Sequence, residues 1–407
     1  MNANRKKNQQ QCFDIIVIGG GMVGAAFACA MAIEEQNNKL SIAVLETQPA
    51  NSNWPADSFD IRVSALTHSS QQLLEKIGVW SNIKSMGAYA YQQMQVWDKT
   101  GQGKIHFNAK EVGKENLGHI IENRIIQKSL QQQLADFEQI SFIHPFKTHN
   151  IEFLEEGVVI SDDSGVKLSA KLVIGADGAN SWLRQQANID INSWAYQQTA
   201  LVTTVKTSLH PQSTCWQQFM PTGPLAFLPL RDHYSSIVWS TTATQAEQLL
   251  KLKEKDFNLQ LEESFGDFLG NIQVCSERAI FPLRMRHARQ YVKPHLALIG
   301  DAAHTVHPLA GQGVNLGFDD AQALANELSL AIKLGKNPFD YAILRKYERA
   351  RKGSNIAMLA SMDILKRLFS NQNPVLSLLR NTGLNLAGSS SFSRQFFINY
   401  ALGNYRS

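Results

Sequence analysis

Gly19, Gly21 and Gly24 stand in the spacing GxGxxG directly after the apolar run Phe13 to Ile18. There the first glycine permits a tight turn and the second lets backbone approach a pyrophosphate. The third lets a helix pack closely on a strand. The helix that opens at this point offers free N–H groups and a positive dipole end to phosphates. Glu46 ends a second apolar run, 22 residues past Gly24, where a carboxylate can accept hydrogen bonds from an adenosine ribose. The same charge would repel a 2′-phosphate, so the dinucleotide expected here is not NADP.

Two later stretches add to this site. Asp177 lies in Gly175-Ala-Asp-Gly-Ala-Asn-Ser181, which read alone is no more than a turn. Gly300-Asp301-Ala-Ala-His304 follows another apolar run and continues through His307, Pro308, Gly311-Gln312-Gly313, Val314 and Asn315. Asp301 could accept from a ribityl hydroxyl. Gly311 and Gly313 would let the backbone lie flat against a flavin ring, with a helix N-terminus facing its electron-rich end. His304 and His307 lack the further ligands and spacing of a zinc site, so no metal is expected.

These residues need particular elements to hold them. Phe13 to Ile18 and Leu40 to Leu45 are continuously apolar, as suits parallel strands buried on both faces, and the helix between them completes a βαβ unit. Lys171 to Ile174 and Leu296 to Ile299 read as two more buried strands, and a helix is predicted from about Val314 to Leu334. Between Trp194 and Ser240 the pattern changes to alternating, aromatic-rich segments such as Ala200 to Val205 and Ser235 to Ser240, which read as antiparallel strands. Trp216, Phe219, Phe227 and Trp239 could wall a substrate pocket, although a sheet core is the stronger reading for most of them. The fold class expected is α/β: a Rossmann-like FAD-binding domain, an antiparallel-sheet substrate domain and C-terminal helices. The discontinuous FAD-binding domain takes residues 12–75, 105–185 and 276–350, the substrate domain 76–104 and 186–275, and the C-terminal helical region 351–407.

With 407 residues, the chain is long enough for two lobes. Its net charge of +4 is too small for the dense basic face that nucleic acid requires, so none is expected as a partner. Cys12, Cys29, Cys215 and Cys275 form no CxxC pair, which fits a reducing, cytoplasmic compartment, and the two near the first glycine motif read as buried fillers. The polar lead Met1 to Gln11 has no apolar core of a secretory signal and reads as disordered. No run reaches the roughly 18 apolar residues of a membrane span.

The three stretches, in this order, resemble the flavoprotein aromatic monooxygenases of the para-hydroxybenzoate hydroxylase type. A narrower resemblance is to the ubiquinone-biosynthesis hydroxylases. It is carried by Arg62-Val-Ser-Ala-Leu66, Gly118-His-Ile-Ile-Glu-Asn123, Gly175 to Ser181, Ala226-Phe-Leu-Pro-Leu230, and Gly300 to His304 with His307 to Asn315. Residues Met362 to Gly403 are similar to that group's C-terminal region. The resemblance implies bound FAD, with NADPH or NADH as transient co-substrate and O₂ as oxidant. It implies hydroxylation of a polyprenylated phenol or quinol ring through a C4a-hydroperoxyflavin. Arg62 is implied at the pyrophosphate and Arg124 at FAD. His307, Pro308 and Gln312 fall at the reacting ring, and the segment Pro308 to Asn315 lines it. Segments Thr214 to Leu230 and Ser181 to Arg184 point to different members of the group, which leaves the ring position open. Two other readings stay open: a non-catalytic FAD-binding assembly factor of a quinone-synthesis complex, and another flavoprotein oxidoreductase of the same fold. From Ile364 to Ser407 there are five Lys or Arg and no Asp or Glu, with apolar residues at helical spacing. That pattern predicts peripheral contact with the inner membrane face, set against simple packing on the FAD lobe.

Overall fold

A computed structural model describes residues 11–34, 40–49, 53–55, 57–101, 103–305 and 313–369. His307, Pro308, Gly311, Gln312 and nearly all of the proposed membrane-contacting tail lie outside the described residues.

The continuous apolar runs become neighbours in one eight-stranded sheet, because strands covered on both faces need no polar alternation. Gln11–Ile18 runs parallel to Ile42–Leu45 on one side and to Lys167–Gly175 on the other. Leu296–Leu298 is parallel to Lys167–Gly175, and Ile140–Ile143 is parallel to Ile42–Leu45. Helices Met22–Glu34 and Gly313–Lys333 bury Phe27, Met31, Phe318 and Leu324 in the same core as these strands. The first helix is nearly all Ala, Gly and apolar residues, which suits an element enclosed on every side.

The second lobe is a nine-stranded sheet. Ile191–Thr207 pairs antiparallel with both Tyr234–Thr242 and Ala279–Ala288, so the two antiparallel strands read from sequence are cross-strand partners. On one face, Phe227 and Trp239 are buried against helices Ala243–Lys251 and Glu254–Phe265, with Trp216 at the edge of that cluster. Phe219 belongs to the cluster on the other side, with Tyr91, Phe107 and Leu228. The sheet-core reading of these aromatics is therefore the one observed. A small three-stranded sheet, with Gly118–Glu122 between Val63–Leu66 and Ala88–Tyr91, carries the Arg62 stretch.

The sheets divide the chain differently from the sequence reading in places. Lys104–Asn108 and Ala279–Ala288, largely assigned to the cofactor lobe, are strands of the nine-stranded sheet. Their proximity in sequence to cofactor motifs concealed this. The helix containing residue 351 begins at Tyr341 and runs unbroken to Phe369, so no boundary falls at 350. Cys12 is exposed, contrary to the filler reading, because the first two residues of its strand lie outside the buried part of the sheet, whereas Cys29 is buried inside the first helix. Among the described residues, no helix is long and apolar enough to cross a membrane.

Candidate cofactor site

The strand register brings the separated motifs together. Ile18 lies opposite both Leu45 and Gly175, and Gly175 lies opposite Leu298. Gly19, Glu46, Ala176-Asp177 and Gly300-Asp301 therefore leave the carboxyl ends of four neighbouring parallel strands side by side. That edge is where open α/β sheets hold their ligands.

The glycines of the first motif do different work. Gly19 has φ +103°, and a β-carbon on it would lie 2.5 Å from the Ala176 carbonyl oxygen, so the first motif is seated directly on the second. A β-carbon on Gly24 would lie 2.0 Å from the Gly19 carbonyl oxygen. One on Gly21 would meet no atom within 4 Å. The backbone at Gly21 thus faces open space, as a pyrophosphate cradle requires. Glu46 closes the loop: its Oε2 accepts from the Gly20 N–H at 2.8 Å and its Oε1 from the Gln48 N–H at 3.0 Å. Gln131 donates from Nε2 to the Gly20 carbonyl at 2.7 Å, a contact with no motif signal, since a lone glutamine on an amphipathic helix reads as a surface residue.

Asp177 turns inward. Its Oδ2 accepts from the Leu183 N–H at 3.0 Å at the start of helix Trp182–Gln186, and its Oδ1 is buried without a partner. Burial raises its pKa, against the pull of Ser181 and nearby backbone amides. Arg184, buried, donates to the carbonyls of Ala179 at 2.9 Å and Ala302 at 2.8 Å, tying the second stretch to the third. Arg286 also donates to Ala179 at 2.7 Å and to Asn180 Oδ1 at 2.7 Å. Neither arginine was singled out for the site from sequence; Arg286 lies in a strand of the other lobe.

Gly300 is buried with φ +59°, and Asp301 beside it is open to solvent. Protein still crowds the Asp301 carboxyl enough to push its pKa up, with His304, Arg62 and Arg286 pulling the other way. Gly317 shows how close the glycine loop and this turn lie: a β-carbon there would be 2.5 Å from Val23 Cγ2 and 3.4 Å from Gly300 Cα. Gly313 and Val314 open the long helix, half-buried. The Asn315 side chain is fully engaged within protein. Its Oδ1 accepts from Thr67 N at 3.1 Å and Ser70 Oγ at 2.7 Å, and its Nδ2 donates to Ala65 O at 2.8 Å. It binds the helix to the Arg62 stretch.

Arg62 is exposed, with its guanidinium 5.9 Å from the Phe281 ring centre and near enough to Asp301 to act on its charge. Arg124 is held by Glu122 at 2.7 Å and by Ser58, and lies over Trp54 at 4.6 Å; its Nε is buried without a partner.

The family described as FAD binding domain matches residues 13–360. The 3-demethoxyubiquinol 3-hydroxylase of Escherichia coli (strain K12) is 37% identical over 395 residues, spanning 96% of this chain and 98% of that protein. The chain belongs to the FAD-dependent hydroxylases of ubiquinone biosynthesis. The mitochondrial ubiquinone biosynthesis monooxygenase COQ6 of Homo sapiens is 36% identical, over 91% of this chain and 88% of its own length. The fold is shared more widely. The crystal structure of p-nitrophenol 4-monooxygenase PnpA from Pseudomonas putida DLL-E4 superposes with a TM-score of 0.77 at 18% identity, covering 98% of this chain and all of that one.

As a member of this family the chain is an FAD-dependent monooxygenase, and the geometry fits the cofactor. A dinucleotide needs open backbone at a helix N-terminus, supplied at Gly21, and polar groups not yet satisfied by protein, supplied by Asp177 Oδ1 and Arg124 Nε.

Proposed function

We propose that the chain hydroxylates the ring of a polyprenylated phenol or benzoquinol, taking electrons from NADPH or NADH and oxygen from O₂. The observation that carries this reading is the convergence of Gly19, Glu46, Asp177 and Asp301 at one sheet edge, beside a second sheet lobe. FAD supplies the oxygen activation when bound. The chain supplies binding, orientation and exclusion of water.

Gly19, Gly21 and Gly24 form the pyrophosphate turn, and Glu46 accepts from the adenosine ribose while bracing the turn through Gly20. Arg62 is assigned to the pyrophosphate; Arg124 is assigned to FAD through its unpartnered Nε, and Asp177 to FAD through its unpartnered Oδ1, which can accept from a hydroxyl. Gly300 shapes the turn that offers Asp301 to the ribityl hydroxyls. Gly311, Gly313, Val314 and Asn315 are assigned to the flavin ring, and His307, Pro308 and Gln312 to the reacting substrate ring. The eight-stranded sheet is assigned to the cofactor and the nine-stranded sheet to the substrate.

The test is NADPH and NADH oxidation with a prenylphenol, with the hydroxylated product identified by mass. Turnover supports the reading. Bound FAD with no turnover on any polyprenylated phenol or quinol favours the assembly-factor reading. Peripheral membrane contact through residues 364–407 is part of the proposal, supported by their charge pattern: basic residues near anionic lipid contribute roughly 1 kcal/mol each. Co-sedimentation with anionic liposomes at low salt should carry the full chain down, and a chain truncated after Met362 should stay behind. Equal sedimentation of the two would remove the tail from the proposal.

A further inference from the structure

Beneath the Gly300-Asp301 turn lies a buried polar cluster that none of the dinucleotide motifs accounts for. Its centre is Asp320, fully buried two turns into the helix Gly313–Lys333. Asp320 Oδ2 accepts from the Gly300 N–H at 3.1 Å and meets His304 Nε2 at 2.5 Å. Its Oδ1 accepts from Arg351 Nε at 2.8 Å and from Asn355 Nδ2 at 3.2 Å. Arg351 and Asn355 stand four residues apart on helix Tyr341–Phe369, so both reach Asp320 from one face of it. Asn355 Nδ2 also lies 3.2 Å from the Tyr291 hydroxyl.

A carboxylate with no solvent access is costly, and a buried ion pair is often no more stabilising than well-packed apolar residues. Stability alone is therefore a poor reason for this arrangement. Its geometry offers another. Gly300 takes a left-handed conformation, and Asp320 accepts the N–H that this conformation turns inward. His304, on the other side of Asp301, is held by the same oxygen. The residues flanking Asp301 are thus pinned to one carboxylate, which is itself gripped by the following helix. One turn further along, Leu359 packs with Leu283 and Met285 of the nine-stranded sheet. Burial opposes ionisation of Asp320, but the charges and hydrogen bonds of His304 and Arg351 more than offset it and hold its pKa at about 2, so the carboxylate stays charged at any working pH.

We propose that Asp320 is the positioning residue of the cofactor site: it sets the Gly300-Asp301 turn for the flavin half of FAD and makes that setting depend on Arg351 and Asn355. The proposal rests on the reading that Asp301 serves the ribityl chain. It separates two halves of one ligand, since the adenosine half is assigned to Gly19 and Glu46, and the hydrogen bonds of Asp320 run instead to Gly300, His304, Arg351 and Asn355. By reciprocity, a flavin half that favours the set turn must also stabilise the helix that grips it.

The experiment compares FAD with ADP, which carries only the adenosine half, on the full chain freed of cofactor. Asp320→Asn should raise the FAD dissociation constant at least ten-fold while ADP binding changes less than two-fold. Arg351→Met should follow Asp320→Asn, and Arg351→Lys, which keeps the cation, should recover most of the loss. In the wild type, FAD should slow amide exchange across residues 345–358 and ADP should not. Equal losses of FAD and ADP affinity would show a merely structural role, and unchanged FAD affinity would show none; either overturns the proposal. If the variants do not fold, the wild-type exchange decides: equal protection by FAD and ADP, or none by FAD, overturns it. A wild-type chain that does not bind FAD would instead remove the cofactor reading itself.

Discussion

Gly24 faces Gly19 so closely that a β-carbon on Gly24 would lie 2.0 Å from the Gly19 carbonyl oxygen, whereas one on Gly21, between them, would touch nothing within 4 Å. The two glycines can therefore be separated by experiment. Gly24→Ala should destabilise the protein with or without FAD, by at least the ~1–3 kcal/mol of an overpacked core. Gly21→Ala should leave the thermal midpoint of the cofactor-free protein unchanged and weaken FAD binding at least ten-fold, because the methyl fills space reserved for phosphate. Wild-type FAD affinity in Gly21→Ala would move the pyrophosphate elsewhere.

Glu46 has two tasks, and substitution should reveal both. Its carboxylate already accepts from Gly20 and Gln48, leaving its remaining lone pairs for a ribose. Glu46→Ala should cost on the order of 1.5–3 kcal/mol of FAD affinity, the range for a hydrogen bond to a charged group. Titration calorimetry measures this directly. Affinity equal to wild type would show that Glu46 only braces the loop.

Asp301 offers a contrasting outcome. It is open to solvent and lies outside the hydrophobic core, so Asp301→Ala should fold normally. Both FAD retention and hydroxylation should fall, because the ribityl chain proposed for Asp301 joins the reacting ring, whereas the ribose proposed for Glu46 does not. Normal turnover in this variant would reject its assignment to the ribityl chain.

The parts of the site legible in the sequence were those encoded by near neighbours. GxGxxG after an apolar run, a carboxylate at the next strand end and Gly-Asp after a third run each need only local spacing, and strand register does the rest. Asp320 was not legible. It sits on an amphipathic helix where an acidic residue reads as solvated, and its partners Gly300, Arg351 and Asn355 lie 20, 31 and 35 residues away with no pattern linking them. The lobe boundaries failed for a related reason. Ala279–Ala288 precedes a cofactor motif in sequence but takes its place through pairing with Ile191–Thr207, a long-range choice that composition does not record. Asn315 was read as lining the ring from its position in the motif, yet its side chain is spent on Ala65, Thr67 and Ser70, because a helix start beside another strand has unsatisfied backbone to serve first.

His119 should make the protein acid-sensitive. It is 8% exposed, its Nδ1 has no partner and its ring stands edge-on to Trp80 at 5.0 Å. Burial first, then the charges of His68 and Lys84, push its pKa down from 6.5 to about 4. An unfolded chain takes up this proton near pH 6.5, and the folded one resists until about pH 4. The unfolded state therefore binds more protons in that window, so the contribution of neutral His119 is present above pH 6.5 and is lost as pH falls. Between pH 7 and pH 5 the loss is about 1–2 kcal/mol. His287, also lowered to about 4 by burial, adds a loss of the same sign. His119→Phe keeps the ring against Trp80 and removes the titration. Its urea midpoint should drop less than that of the wild type between pH 7 and pH 5, with the residual drop coming from groups such as His287. If the two proteins lose equal stability across that interval, His119 does not carry the acid sensitivity assigned to it.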